Sequence, residues 1–145
     1  MTYLVDTDVL LRAAQPSHPA HAAAAGAVRS LLARGERLCV LPQNLIEFWA
    51  VATRPAESNG LGLEIDVAAA ELDKLKAIFE PLPDTPATYP EWEKLVRANE
   101  VRGKEAHDAR IAAAMLAHGV TRILTFNGGD FKRFAGVTAV DPADV

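Results

Sequence analysis

Short apolar runs alternate with longer helical patterns along this chain, and that order constrains its fold more than any other feature. Tyr3-Leu4-Val5, Arg37 to Leu41, Arg122 to Thr125 and Thr138-Ala139-Val140 each read as a brief strand. Helical patterns fill the gaps. A first turn is expected around Val9, Leu10 and Leu11, interrupted by Pro16 and Pro19. An alanine-rich helix follows from His21 to Arg34, with Val28, Leu31 and Leu32 as its apolar face and Gly35 as its stop. Pro42-Gln43-Asn44 opens a helix through Thr53 that Pro55 ends. Ile65 to Phe79 carries Val67, Ala70, Leu72, Leu75, Ile78 and Phe79 at helical spacing, and further helices are expected over Glu91 to Arg102 and His107 to His118. The proline-rich stretch from Pro81 to Pro86, with Pro90 beyond it, is read as an extended edge and a turn, outside any helix interior. Strands that are apolar throughout and separated by helices belong in a parallel sheet covered on both faces.

A length of 145 residues, half of them apolar, suits one domain over 1–145 with a real core. No apolar run approaches the roughly 20 residues needed to span a bilayer. The start, Met1-Thr2-Tyr3-Leu4-Val5-Asp6, meets an acid at once and does not read as a signal peptide. Cys39 is the single cysteine, set between Leu38 and Val40, and reads as a small buried hydrophobe in a reducing cytoplasm. A formal charge of −4, from 15 basic and 19 acidic residues, argues against a protein that coats nucleic acid. It leaves room for an enzyme that grips a few phosphates.

Acids inside apolar stripes are informative, because a lone buried carboxylate must pair, bind a metal or take up a proton. Glu47 lies within Leu45-Ile46-Glu47-Phe48-Trp49. Asp108 shares a helical stripe with Ile111, Ala112 and Met115. Asp6 directly follows the first strand, and Asn127 and Asp130 follow the Ile123–Thr125 strand, at the sheet edge where ligands gather. Each has a plainer reading too. Glu47 could be an acid at the core boundary, Asp108 an acid favoured by a helix N-terminus, and Asp130 a cap. Several acids at one edge would repel each other, and Mg²⁺ or Mn²⁺ relieves that repulsion with oxygen ligands. The four histidines show no zinc-like pairing. His107, beside Asp108, reads either as a support to the site or as a surface residue.

Four segments, taken in order, resemble the signatures of PIN domains, and most of all the VapC-type toxins of bacterial toxin–antitoxin pairs. They are Val5-Asp6-Thr7-Asp8-Val9-Leu10, Glu47 in its apolar helix, His107-Asp108-Ala109-Arg110-Ile111-Ala112-Ala113-Ala114, and Leu124-Thr125-Phe126-Asn127-Gly128-Gly129-Asp130-Phe131. The resemblance spans Leu4 to about Val140. It implies a three-layer α/β/α sandwich with a central parallel sheet, and a metal-dependent nuclease that cuts RNA. Asp6, Glu47 and Asp108 match the family's three principal acids, and Asp130 a more variable fourth. Thr7 and Thr125 match small hydroxyl residues that support the site. Asp8 stands where asparagine or serine is common, which leaves it open as a structural cap. Asn127 stands where some members carry another acid, so either Asn127 or Asp130 lies nearer the metal. The expected chemistry is in-line attack on phosphorus, giving a 5′-phosphate and a 3′-hydroxyl. Arg12, Arg54, Lys104, Arg110, Lys132 and Arg133 are candidates for phosphate contact. The resemblance also implies a homodimer and a small antitoxin whose arginine covers the acids, with an apolar segment lying near Phe48 and Trp49 or along residues 61–79.

Other readings are a stand-alone RNA-processing nuclease and an inert PIN-like RNA-binding module. A haloacid-dehalogenase-like phosphatase is a third, since Asp6-Thr7-Asp8 follows the first strand. Against it, Val9 and Leu10 stand where that family has glycine and threonine.

Overall fold

The computed structural model describes residues 1–145. Five strands form one parallel sheet: β1 (Thr2–Val5), β2 (Arg37–Val40), β3 (Glu80–Pro81), β4 (Arg122–Leu124) and β5 (Thr138–Val140). Their order across the sheet is β3-β2-β1-β4-β5, so the sheet grows outward in both directions from β1. In register, Leu4 lies opposite Cys39 of β2 and Ile123 of β4. Six helices connect the strands: α1 (Thr7–Ala13), α2 (His21–Ala33), α3 (Pro42–Thr53), α4 (Ile65–Ile78), α5 (Thr88–Ala98) and α6 (Glu105–Ala117).

Strand periodicity sorts the core into two layers. Tyr3, Val5, Leu38, Val40 and Leu124 point to one face, where they pack with Val9, Leu10, Leu31, Phe48 and Leu75 from α1 to α4. Leu4, Leu41 and Ile123 point to the other and pack with Leu95 of α5, Ile111 and Met115 of α6, and Phe131 and Phe134. The expected α/β/α sandwich with a central parallel sheet is therefore the observed one. No helix is long and apolar enough to cross a membrane.

The differences are mostly of face and boundary. On α2 the buried residues are Ala24, Ala27 and Leu31, while Leu32 is exposed. On α4, Ala68 and Leu75 are buried, whereas Val67, Ala70 and Ile78 face solvent. Ala24, Ala27 and Ala68 are buried together with Leu31 and Leu75, while Leu32, Val67 and Ile78 of the expected stripes turn outward. α5 begins at Thr88, so Pro90 is inside it after all. It occupies the first turn, where a helix does not need that N–H. Phe48 is fully buried and offers no surface to a partner, while Trp49 is half-buried. Cys39 is buried, donates its S–H to Glu80, and has its thiol pushed up to about 11 by burial, as suits an inert side chain.

Candidate active site

The chain crosses over at β1, since β2 and β3 lie on one side of it and β4 and β5 on the other. Such a reversal opens a crevice at the carboxyl ends of the strands. Asp6 sits there as the N-cap of α1, its Oδ1 accepting from the Thr7 N–H at 2.8 Å. Its backbone N–H donates to Leu124 O at 3.0 Å, and its Oδ2 accepts from the Thr125 hydroxyl at 2.8 Å. The ends of β1 and β4 are thus tied together through one aspartate.

A concavity of about 360 Å³ opens over this junction, and Asp6, Glu47, Asp108 and Asp130 all line it. Asp8, Asn127, Thr7 and Arg54 complete its polar wall. Four separate parts of the fold deliver the four acids. Asp6 comes from the β1–α1 junction, Glu47 from α3, Asp108 from the first turn of α6, and Asp130 from a short turn after β4. Asp6 is buried, Glu47 and Asp108 are half-buried, and Asp130 is exposed.

Each expected supporting residue has a definite partner. Thr7 donates its hydroxyl to Glu47 Oε1 at 2.8 Å. Thr125 is buried and holds Asp6. Asn127 donates its side-chain amide to Asp8 Oδ2 at 2.7 Å. Asp8 does not cap the helix, since Asp6 has that place. It reaches to the β4 end instead, accepting also from the Phe126 N–H at 3.1 Å. Two contributors were missed in the sequence. Asn44, fully buried, accepts from the Leu41 N–H and donates to the Thr7 hydroxyl at 3.3 Å. Gln43 donates to Glu47 Oε2 at 3.3 Å and to the His107 carbonyl at 3.0 Å. Their signal was spacing: they precede Glu47 by three and four residues and share its helix face. Of the candidate cations, Arg54 lines the concavity, Arg133 is paired with Glu105, and Arg12 donates to Gln15. His107 contributes its backbone carbonyl and a charge that partly offsets the rise at Asp108.

The electrostatics are those of a strained acid cluster. Burial raises the Asp6 carboxyl well above the ordinary range, and the neighbouring charges of Asp8 and Glu47 raise it further. Burial also pushes Asp108 up to about 6, helped by Asp130, Glu47 and Glu105. Asp8 is raised by burial as well, and its Oδ1 is buried without a hydrogen-bond partner. All the donors are carboxylate, amide or hydroxyl oxygens, the chemistry of Mg²⁺ or Mn²⁺ sites. No three acidic, histidine or cysteine side chains converge into a ready-made cage, so the acids line one site as an open arrangement. Mg²⁺ tolerates such an open arrangement, because it retains several waters and needs only one or two carboxylates.

The sign of the linkage gives a test. Asp6 and Asp108 bind protons more tightly folded than unfolded, so their stabilising contribution is complete below the ordinary carboxylate range. It is lost as pH rises through about 6 at Asp108 and through the higher value at Asp6. In EDTA the melting temperature is expected to fall between pH 5.5 and 8. Millimolar Mg²⁺ should raise it more at pH 8 than at pH 5.5. An equal effect of Mg²⁺ at both values would show that the cation does not meet these carboxylates.

The PIN domain family model matches residues 3–137. The chain belongs to the PIN domain family. No curated protein matches it. Among solved structures, this PIN domain is similar to VapBC2 of Rickettsia felis bound to a promoter DNA fragment, with a TM-score of 0.74 at 17% identity, over 97% of this chain and 98% of that one. It is similar to VapBC-1 of nontypeable Haemophilus influenzae, with a TM-score of 0.74 at 15% identity, over 98% of each chain. It is also similar to VapC20 of Mycobacterium tuberculosis, a toxin that cleaves the sarcin-ricin loop, with a TM-score of 0.64 at 20% identity, over 90% of this chain and 92% of that one. At these identities the likeness is one of fold.

Proposed function

We propose that residues 1–145 form one nuclease domain, a Mg²⁺- or Mn²⁺-dependent endoribonuclease that acts as the toxin of a toxin–antitoxin pair in the cytoplasm. The observation that carries the reading is the convergence of Asp6, Glu47, Asp108 and Asp130 on one concavity at the strand crossover. Asp6, Asp108 and Asp130 would hold the cation, some through water, with Glu47 completing the set. Bound there, the cation would neutralise the phosphate and acidify water. The chain's own groups fix the geometry. Thr7 and Gln43 hold both oxygens of Glu47, and Thr7 and Thr125 hold both of Asp6, so neither acid is free to swing away. So held, Glu47 would complete the set around the cation or orient its bound water. Arg54 offers the one guanidinium in that concavity for a phosphate oxygen.

The partner reading rests on surface chemistry. A groove between α2 and α4 exposes Leu32 and Ile78 beside Val28 and Leu75, and suits an amphipathic antitoxin helix. An arginine from the same antitoxin would fork onto the acids and compete with the cation. Exposed Ile65 and Val67, near the start of α4, support a homodimer.

RNA cleavage is expected to stop in excess EDTA and return on adding Mg²⁺ or Mn²⁺. Full cleavage by carefully purified protein in EDTA would refute the metal mechanism.

A further inference from the structure

We propose that the cleft between the start of α5 and the start of α6 stacks an unpaired RNA base next to the bond being cut; this rests on the ribonuclease reading above. The cleft holds about 460 Å³, within the range of small-ligand sites. Tyr89 and Trp92 are three residues apart on α5 and share its face, with ring centroids 5.6 Å apart and planes tilted by 33°. Trp92 is anchored, because its indole N–H donates to the Ala106 carbonyl at 2.9 Å. It is half-buried against the second core layer, and the part of its ring left uncovered faces the cleft. Tyr89 is 64% exposed, far more than a ring recruited for the core. An anchored ring beside an exposed one is a stacking platform, and base–aromatic stacking tolerates any base.

The second observation is continuity with the acids. Asp84, His107 and Arg110 form one wall of the cleft and also line the adjoining depression, which Gln43 and Glu47 share. Glu47 in turn lines the carboxylate concavity. A hydrogen-bonded row runs along this path. Gln43 donates to Glu47 at 3.3 Å, Arg110 donates to Gln43 Oε1 at 3.1 Å, and Arg110 donates to Asp84 at 3.1 Å. Arg110 is thereby held between the acids and the rings. A strand leaving the carboxylates would pass a fixed guanidinium with its next phosphate and then reach the rings with its next base. Acid cluster, cation and aromatic pair in that sequence match a single strand, whose bases are free to splay; a paired base could not enter the cleft.

Binding of short fluorescent oligo(rA), and of an abasic ribose-phosphate strand of equal charge, would be measured on the full chain carrying Asp108→Asn. Tyr89→Ala should weaken oligo(rA) about tenfold and change the abasic strand less than about twofold. Tyr89→Phe should bind oligo(rA) like its parent, since the ring and not the hydroxyl is used. Equal losses on both strands would overturn the stacking site, as would unchanged oligo(rA) affinity, which would leave the cleft to a polypeptide. If the wild-type protein cuts RNA and Tyr89→Ala changes nothing, this proposal alone fails. If the wild type neither binds nor cuts RNA, the ribonuclease reading fails and takes this one with it.

Discussion

Asp6→Asn and Asp108→Asn should each lower RNA cleavage by about a hundredfold or more while leaving the metal-free protein as stable as before, or more so. Loss of even an outer partner of a metal ligand typically costs 10–100-fold, so loss of a residue proposed to hold the cation belongs at or above that upper end. The stability half has a separate origin. Both carboxyls are raised by burial and by like charges, so a neutral amide removes a charge that the folded state disfavours. Asparagine is as good an N-cap as aspartate, so the Asp6→Asn side chain would keep the Thr7 N–H satisfied. Asp8→Asn should be far milder. One amide oxygen still accepts from Phe126 and Asn127, and the atom replaced by nitrogen is the one that now has no partner. The measurement is turnover on RNA beside a melting curve in EDTA. A stable Asp108→Asn protein with near wild-type turnover would remove Asp108 from the site. A loss at Asp8→Asn equal to that at Asp6→Asn would place Asp8 among the residues that hold the cation.

The largest effect on stability is expected from a single methyl group. Residues 55–63 fold back over the end of α3. The Leu61 N–H donates to Val51 O at 3.0 Å, Leu63 N–H to Ala52 O at 2.9 Å, and Gly62 N–H to Arg54 O at 2.8 Å. These bonds satisfy carbonyls that a helix end leaves open. A Cβ on Gly60 would run into the Arg54 carbonyl, which is backbone and cannot swing aside. Gly60→Ala is therefore expected to cost about 3 kcal/mol, or about 10 °C in melting temperature. Gly26, inside α2, has nothing within 4 Å of the same position. Gly26→Ala should stabilise by about 0.5–1 kcal/mol through helix propensity. Two glycine-to-alanine changes of opposite sign can be read from thermal melts side by side. A Gly60→Ala protein melting with the wild type would show that the loop moves freely. Because Arg54 lines the acid concavity, Gly60→Ala should also weaken RNA binding.

Local patterns reached far into this fold. α3 spans Pro42–Thr53 and β5 spans Thr138–Val140, as read from the sequence, because a proline start and a short apolar run mark their own limits. Asp6 was legible because nothing but a strand end explains an acid after Leu4-Val5. Other features were not local. The face of α4 was misread because its buried side is set mainly by α3, the helix it packs on, and the spacing of Val67, Ala70 and Ile78 carries no mark of that neighbour. Asp8 was undervalued because its partner lies 118 residues away, at Phe126. A hydrogen bond of that separation leaves no periodicity behind it.

The place of β1 in the middle of the sheet sets a timetable for the growing polypeptide. β1, β2 and β3 can pair as soon as Pro81 has been made, but the other edge of β1 stays bare until β4 arrives at Arg122–Leu124. Until then Asp6 lacks the Thr125 hydroxyl and the Leu124 carbonyl that fix it, and neither Asp108 nor Asp130 has a sheet edge to be carried to. Chains fold from the N-terminus as they are made, and long-range pairings close last. On the ribonuclease reading, a chain not yet extended past Asp130 is thus harmless to the RNA around it, and the dangerous constellation comes into being only once β4 and the turn after it have been made.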